Sequence, residues 1–217
     1  MIIERDVMEY DVLIVGGGPA GLSAAIKIKQ LAAKENKEIS VCLVEKGAEV
    51  GSHILSGAVI DPVALTELIP SWKEKGAPLN TKVSKDIFNI FSEKKNLNIP
   101  HWLMPPIMSN KENYIVSLGD LCIWLSKEAE SIGVEIYPGF SAQMPIFNSS
   151  EELIGILTGD MGRDSDNNQT SNYLAGIEIH AKYSLIAEGT RGSITKIIEK
   201  KLNLRKNSDP QKYGLGF

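Results

Sequence analysis

The sequence predicts an α/β fold: a three-layer domain built around a mostly parallel sheet, with an α+β excursion inserted into it. Three observations predict it. Asp11–Gly21 reads "DVLIVGGGPAG", an apolar strand that runs into a Gly-x-Gly-x-x-Gly turn and opens a helix. A second strand, "ISVCLVE", is apolar throughout and ends on an acid. Near the far end, "YSLIAEGTRGSITK" repeats the step from strand through turn to helix.

Each element has a local reason. Tyr10–Val15 is apolar almost without a break, as a strand covered on both faces must be. Pro19 suits the first turn of a helix because it has no amide hydrogen to leave unpaired. "PAGLSAAIKIKQLAAK" then places Leu22, Ala25, Ile26, Ile28 and Leu31 in one apolar stripe. "KENKE" is a polar loop, so the opening segment is a βαβ unit. "GAEVGSHILSGAVIDP" is glycine-rich and predicts irregular chain; Pro62 then starts a short helix, "PVALTELIP". From Ser71 the character changes to prolines, Trp72, Trp102 and alternating fragments such as "DIFNIFSE". Residues 71–112 therefore read as an excursion into a second domain, and residues 1–70 and 113–217 as the first.

"VSLGDLCIWLSKEAESIG" returns to an amphipathic helix, and "VEIYPG" is the strand after it. Gln143–Asp160 reads as a β-hairpin and Gly162–Ser171 as a polar loop. "LAGIEIHAKYSLIAEG" predicts two strands, the second ending at Glu188-Gly189, and "SITKIIEKKLNL" a helix. The closing "YGLGF" reads as a strand cut off in mid-run, so the domain is expected to be incomplete at its C-terminus.

Composition narrows the function. The 217 residues are 43% apolar, enough for a packed core, and carry a net charge of −4. A nucleic-acid surface would show as a basic excess. Cys42 and Cys122, the two cysteines, both sit in apolar runs and read as buried hydrophobes of a reducing compartment. Two thiolates cannot hold a four-iron cluster, which takes four. "MIIERDVMEYD" is neither a signal nor a transit sequence, and no apolar run reaches the roughly 18 residues that span a bilayer. The expectation is a protein that starts in the cytoplasm and stays on that side.

The glycines explain what lies against the first turn. Gly16 permits the tight strand-to-helix turn, Gly18 lets main chain approach a pyrophosphate, and Gly21 lets the helix pack on the sheet. Pro19 and Ala20 complete a helix start whose free amides and dipole attract the negative diphosphate. Glu45, closing the second strand, can accept both hydroxyls of an adenosine ribose, with Val44 and Lys46 beside the adenine. The turn's place near the N-terminus and the glycine-rich stretch after the acid favour FAD over NAD. The late strand–turn–helix agrees, since flavoproteins of the hydroxylase and reductase type use one beside the cofactor. The fold class is thus an FAD-binding, Rossmann-like domain of the glutathione reductase/hydroxylase type.

"DVLIVGGGPAGLSAAIKIKQLAA", "GSHILSGAVIDP", "KEKGAPLNT", "NYIVSLGDLCIWLSKEAESIGVEIYPGF", "TGDMG", "IEIHAKYSLIAEGTRGSITK" and "DPQKYGLG" together resemble the electron-transfer flavoprotein:ubiquinone oxidoreductase family. The resemblance runs from about Tyr10 to the end. It implies an enzyme on the inner membrane, on its cytoplasmic face or, in a eukaryote, on the matrix face of the mitochondrial inner membrane. Its partners would be reduced electron-transfer flavoprotein, ubiquinone and the membrane surface, with no nucleic acid. Its cofactors would be FAD and a 4Fe-4S cluster, the cluster cysteines falling in a C-terminal part that this chain lacks. The chain stops where the family continues, so it reads as an N-terminal fragment whose own activity is doubtful.

The resemblance also implies that Gly51, His53, Ser56 and Gly57 wrap the phosphates and approach the flavin, and that Glu188, Gly189 and Arg191 lie near the cofactor. No residue need act as acid or base, and none is expected to bind a metal. In "NIPHWLMPPIMS", Trp102, Leu103, Met104 and Ile107 crowd into a proline-rich loop that reads either as a membrane- or quinone-facing wedge or as core of the second domain. Two alternatives stay open. A NAD(P)H-dependent flavin monooxygenase or geranylgeranyl-reductase-like enzyme would generally carry Asp at Glu188 and Arg at Lys196. The other is a non-catalytic, truncated FAD-binding module.

Overall fold

The computed structural model describes residues 5–55, 57–166, 168–212 and 214. In chain order the first elements are β1 (Val7–Val15), α1 (Pro19–Lys34), β2 (Val41–Glu45), β3 (Gly57–Ile60) and α2 (Val63–Leu68). The excursion supplies β4 (Thr81–Lys82), β5 (Phe88–Phe91) and β6 (Asn96–Ile99). After it come β7 (Tyr114–Ser117), α3 (Leu118–Ser131) and β8 (Val134–Pro138). The chain continues through β9 (Ala142–Phe147), β10 (Leu153–Thr158), β11 (Met161–Arg163) and β12 (Gln169–Leu174). It closes with β13 (Glu178–Ile186) and α4 (Ser193–Lys201).

The main sheet has six strands in the order β8-β2-β1-β13-β10-β9. β1, β2, β8 and β13 are parallel, and the β9/β10 hairpin joins β13 antiparallel. Strand periodicity divides the core in two. Val12, Ile14, Val41 and Leu43 face one way and pack with Leu22, Ala25 and Ile26 of α1 and Leu121, Cys122 and Leu125 of α3. Leu13, Val15, Cys42 and Val44 face the other way and pack with Ile156 of β10 and Ile194 and Ile198 of α4. That makes three layers. It also explains why β1 and β2 are apolar at successive positions: both faces are covered.

Helix ends follow local chemistry. Ser117 Oγ accepts from Asp120 N at 3.2 Å and starts α3. Lys34 in the last turn of α1 complements the negative end of its dipole.

Three expectations need revision. Gly57–Ile60 is not irregular; as β3 it pairs with β7, which pairs with β4, in a separate three-stranded sheet. The polar stretch after Gly162 is not a loop but the turn and second strand of the β11/β12 hairpin. β13 is one strand rather than two, because β1 pairs with it residue by residue from Val7–Glu178 to Val15–Ile186. Lys182, which breaks its apolar pattern, is tied to β1 by donating from Nζ to Asp11 Oδ1 at 2.6 Å. The strand expected in "YGLGF" lies largely outside the described residues.

The excursion is divided. Trp72, Ala77 and Leu79 are buried in the core on the helical face, where Trp72 Nε1 donates to Thr66 Oγ1 at 3.0 Å. β5 and β6 form their own two-stranded ribbon, followed by single 3₁₀ turns at His101–Leu103 and Pro106–Met108. Here large apolar side chains face solvent: Phe91 is 74% exposed, Trp102 80% and Ile107 92%.

Candidate functional site

A cleft of about 720 Å³ lies at the carboxyl ends of β1, β2 and β13. Ligands of open α/β sheets bind at that edge.

The first wall is the glycine turn, whose glycines do different work. Gly16 has φ +113°, and a Cβ on it would stand 2.4 Å from the Ala187 carbonyl oxygen, so the turn packs against the end of β13. A Cβ on Gly21 would stand 2.0 Å from Gly16 O and 3.2 Å from Ile14 Cγ2; its absence lets α1 lie on β1. A Cβ on Gly18 would meet nothing within 4 Å, and Gly18 lines the cleft. The first intrahelical bond runs from Leu22 N to Gly18 O at 3.0 Å, which leaves the amides of Ala20 and Gly21 without helical acceptors. No side chain caps α1, and Pro19 has no donor to offer. The helix therefore presents unspent amides and its positive end where Gly18 keeps the space clear.

The second wall starts at Glu45. Its Oε2 accepts from Gly17 N at 2.8 Å and its Oε1 from Gly47 N at 2.8 Å. His53 Nδ1 stands 3.9 Å from Oε1. The carboxylate is thereby held between two glycine-containing turns, with a lone pair left on each oxygen for a ligand hydroxyl. Gly17, which sequence reasoning passed over, is the donor that orients this acid; a Cβ there would sit 3.1 Å from Glu45 Cβ. Lys46, Gly51 and His53 also line the cleft. Gly51, at φ +87°, brings its loop against α3, since a Cβ would lie 2.7 Å from Gly119 O. Gly57 is not on the cleft lining: it opens β3 and pairs with Ser117. Ser56 lies outside the described residues.

The third wall follows β13. Ala187 N donates to Val15 O at 2.8 Å, which carries the parallel pairing to the edge of the cleft. Glu188, Gly189 and Arg191 line the cleft, Gly189 at φ +78°. The Glu188 carboxylate is engaged with the amino end of α4, accepting from Thr195 N at 2.8 Å and Thr195 Oγ1 at 2.7 Å. Phe140, Ser141 and Ala142, which sequence reasoning did not single out, complete the lining. Their signal was the "YPGF" exit from a strand neighbouring β2: Gly139 N donates to Gly47 O at 2.7 Å, so that exit must arrive beside Glu45. Trp102, Leu103, Met104 and Ile107 lie in the excursion and not on the cleft.

Neither cysteine is placed for chemistry. Burial, then the nearby Glu135 charge, pushes the Cys42 thiol up to about 12; burial, then the Glu45 charge, pushes Cys122 up to about 11. Among the described residues no three metal-ligating side chains are gathered, so these residues do not fit an iron–sulfur cluster.

An open cleft over a glycine turn and helix start, with an oriented acid beside it, is the architecture of a dinucleotide-binding oxidoreductase domain. Residues 10–208 match the pyridine nucleotide-disulphide oxidoreductase family, and the chain belongs to it.

Curated relatives refine that placement. The chain is 52% identical over 217 residues to the probable electron transfer flavoprotein-ubiquinone oxidoreductase of Acinetobacter baylyi, covering 99% of this chain and 38% of that protein. It is 54% identical to the electron transfer flavoprotein-ubiquinone oxidoreductase of Pseudomonas aeruginosa, covering 99% of this chain and 39% of that one. It is 49% identical to the mitochondrial protein of that name in Homo sapiens, covering 99% and 35%. The chain thus spans little more than a third of the length of these relatives.

Solved structures share the fold at low identity. A geranylgeranyl bacteriochlorophyll reductase-like protein of Thermoplasma acidophilum superposes with TM-score 0.57 at 19% identity, over 84% of this chain and 40% of that one. A flavin-dependent monooxygenase solved with FAD and substrate superposes with TM-score 0.58 at 16% identity, over 90% and 32%.

Proposed function

We propose that this chain is the FAD-binding part of an oxidoreductase that passes electrons from reduced electron-transfer flavoprotein to ubiquinone. Support for the activity comes from the names of relatives at about half identity along nearly the whole chain. The observation that carries FAD is the clear space over Gly18, which any side chain would fill, in front of unspent helix amides. When bound, FAD supplies the one- and two-electron redox chemistry.

The chain's own residues hold and orient. The amides of Gly18, Ala20 and Gly21 receive the diphosphate, and Glu45 accepts the ribose hydroxyls and disfavours a 2′-phosphate there. Lys46, Gly51 and His53 frame one side of the cleft, and Gly189 and Arg191 the other. A 4Fe-4S cluster belongs to this reading only through residues outside this chain.

On the same reading, residues 1–70 and 113–217 are the FAD domain, and 71–112 reach into a quinone- and membrane-facing domain. The exposed Trp102, Leu103 and Ile107 support that role, since a patch of this kind seldom stays in water without a partner. No described helix is long and apolar enough to cross a membrane. The attachment proposed for this exposed patch is peripheral, on the cytoplasmic or matrix face.

The test is to load the chain with FAD and mix it, without oxygen, with reduced electron-transfer flavoprotein and separately with NADPH. The expected result is stoichiometric FAD uptake and bleaching by the flavoprotein alone. Bleaching by NADPH alone would assign the chain to the monooxygenase type, and no FAD uptake would overturn the reading of the cleft.

A further inference from the structure

Glu188 is an acid on the wall of a cleft read here as taking an anionic diphosphate. Both its oxygens are committed elsewhere. Oε1 accepts from Ser193 N at 3.2 Å and Ile194 N at 3.4 Å, and Oε2 accepts from Thr195 N at 2.8 Å and Thr195 Oγ1 at 2.7 Å. These are the first-turn donors of α4, which its own N-cap residue, Gly192, has no side chain to satisfy. Gly192 is itself fitted to this bond: a Cβ there would stand 2.4 Å from Glu188 Oε2 and 2.4 Å from Thr195 Oγ1.

The carboxylate therefore reaches across Gly189–Gly192 and closes that turn. The turn is held at both ends, by Ala187 N on Val15 O at one and by buried Ile194 and Ile198 of α4 at the other. Between these anchors lie Gly189 and Arg191, both on the cleft. The α4 dipole and amides also offset the acid's charge, which would otherwise oppose a diphosphate.

We propose that Glu188 is a positioning residue: by capping α4 it sets the shape of the Gly189–Gly192 turn and so the tightness with which the cleft holds FAD. This rests on the reading of the cleft as an FAD site. Glu188→Gln turns an amide NH₂ toward a row of N–H donors and forfeits the bonds on that side. Thr195→Val removes one hydroxyl donor and leaves the backbone bonds in place.

The experiment is FAD titration by flavin fluorescence, well below the melting midpoints, on the unsubstituted chain and the two variants, with thermal midpoints measured alongside. We expect the Kd for FAD to rise about tenfold or more in Glu188→Gln and about threefold in Thr195→Val. Glu188→Asp, which keeps the charge, should recover part of the loss. A role in stability alone would shift the midpoints and leave Kd unmoved, and that result in folded Glu188→Gln overturns the proposal. Should Glu188→Gln not fold, an unchanged Kd in Thr195→Val overturns it. Failure of the unsubstituted chain to bind FAD is the separate result that removes the cleft reading itself.

Discussion

Gly18→Val separates ligand clearance from folding. The Gly18 backbone, at φ −81° and ψ −179°, is extended and open to any residue, and the added Cβ would have no protein atom within 4 Å. The cost to the fold is the weaker N-cap preference of Val, about 1 kcal/mol. The cost to the ligand is larger. Three added carbons fill the space in front of the Ala20 and Gly21 amides, and two charge-assisted hydrogen bonds at about 1.5–3 kcal/mol each are lost. FAD binding should weaken by roughly 10²- to 10⁴-fold. Flavin fluorescence titration reads the affinity, and thermal denaturation the fold. Gly21→Ala is the counterpart: its Cβ would stand 2.0 Å from Gly16 O, so α1 must lift from β1 at a cost on the order of 3 kcal/mol. A Gly18→Val protein that binds FAD within about threefold of the unsubstituted chain, or that fails to fold, would refute this division of labour.

Other perturbations reach different links of the argument. Donation from Lys182, then from Ser40, lowers the Asp11 carboxyl from 3.8 to about 2. The ionised form is the one favoured by folding, so its contribution is present above about pH 4 and fades as pH falls toward 2. Asp11→Asn should therefore lose less stability than the unsubstituted chain over that interval, read from thermal midpoints in a pH series; parallel curves would contradict it. Cys42 and Cys122, buried and with raised thiol pKa values, should resist iodoacetamide at pH 8 in the native chain and react once it is unfolded, as mass spectrometry would show. Trp102→Glu combined with Ile107→Glu should cut partition onto anionic phospholipid vesicles in a sedimentation assay, with little change in the melting midpoint, because both side chains are exposed. Equal partition would remove the membrane-facing role proposed for the excursion.

The parts of the fold legible in the sequence are those whose cause is local. β1, α1 and β2 follow from mostly apolar strands, a glycine turn and a 3.6-residue stripe, and α3 from its stripe. The parts misread depend on partners far along the chain. Gly57–Ile60 is half exposed, short and set in a glycine-rich stretch with no polar/apolar alternation to mark it; it is a strand because β7 comes to pair with it. β12 is polar through Gln169–Asn172, and only pairing with β11 makes it a strand.

The site divides in the same way. Gly16, Gly18, Gly21 and Glu45 announce themselves by spacing. The alignment of Glu45 by Gly17 N, and the engagement of Glu188 with α4, are properties of side-chain direction that no spacing encodes.

The pairing of Val7 with Glu178 has a kinetic price. At about 5–20 residues per second, β1 would wait on the order of ten to thirty seconds after its own synthesis before its neighbour is made. During that interval its greasy edge has β2 on one flank and nothing on the other, a template for any stray strand nearby. Nascent chains of this protein should therefore lean on chaperones early, and engage FAD only once the ribosome has passed the turn after β13.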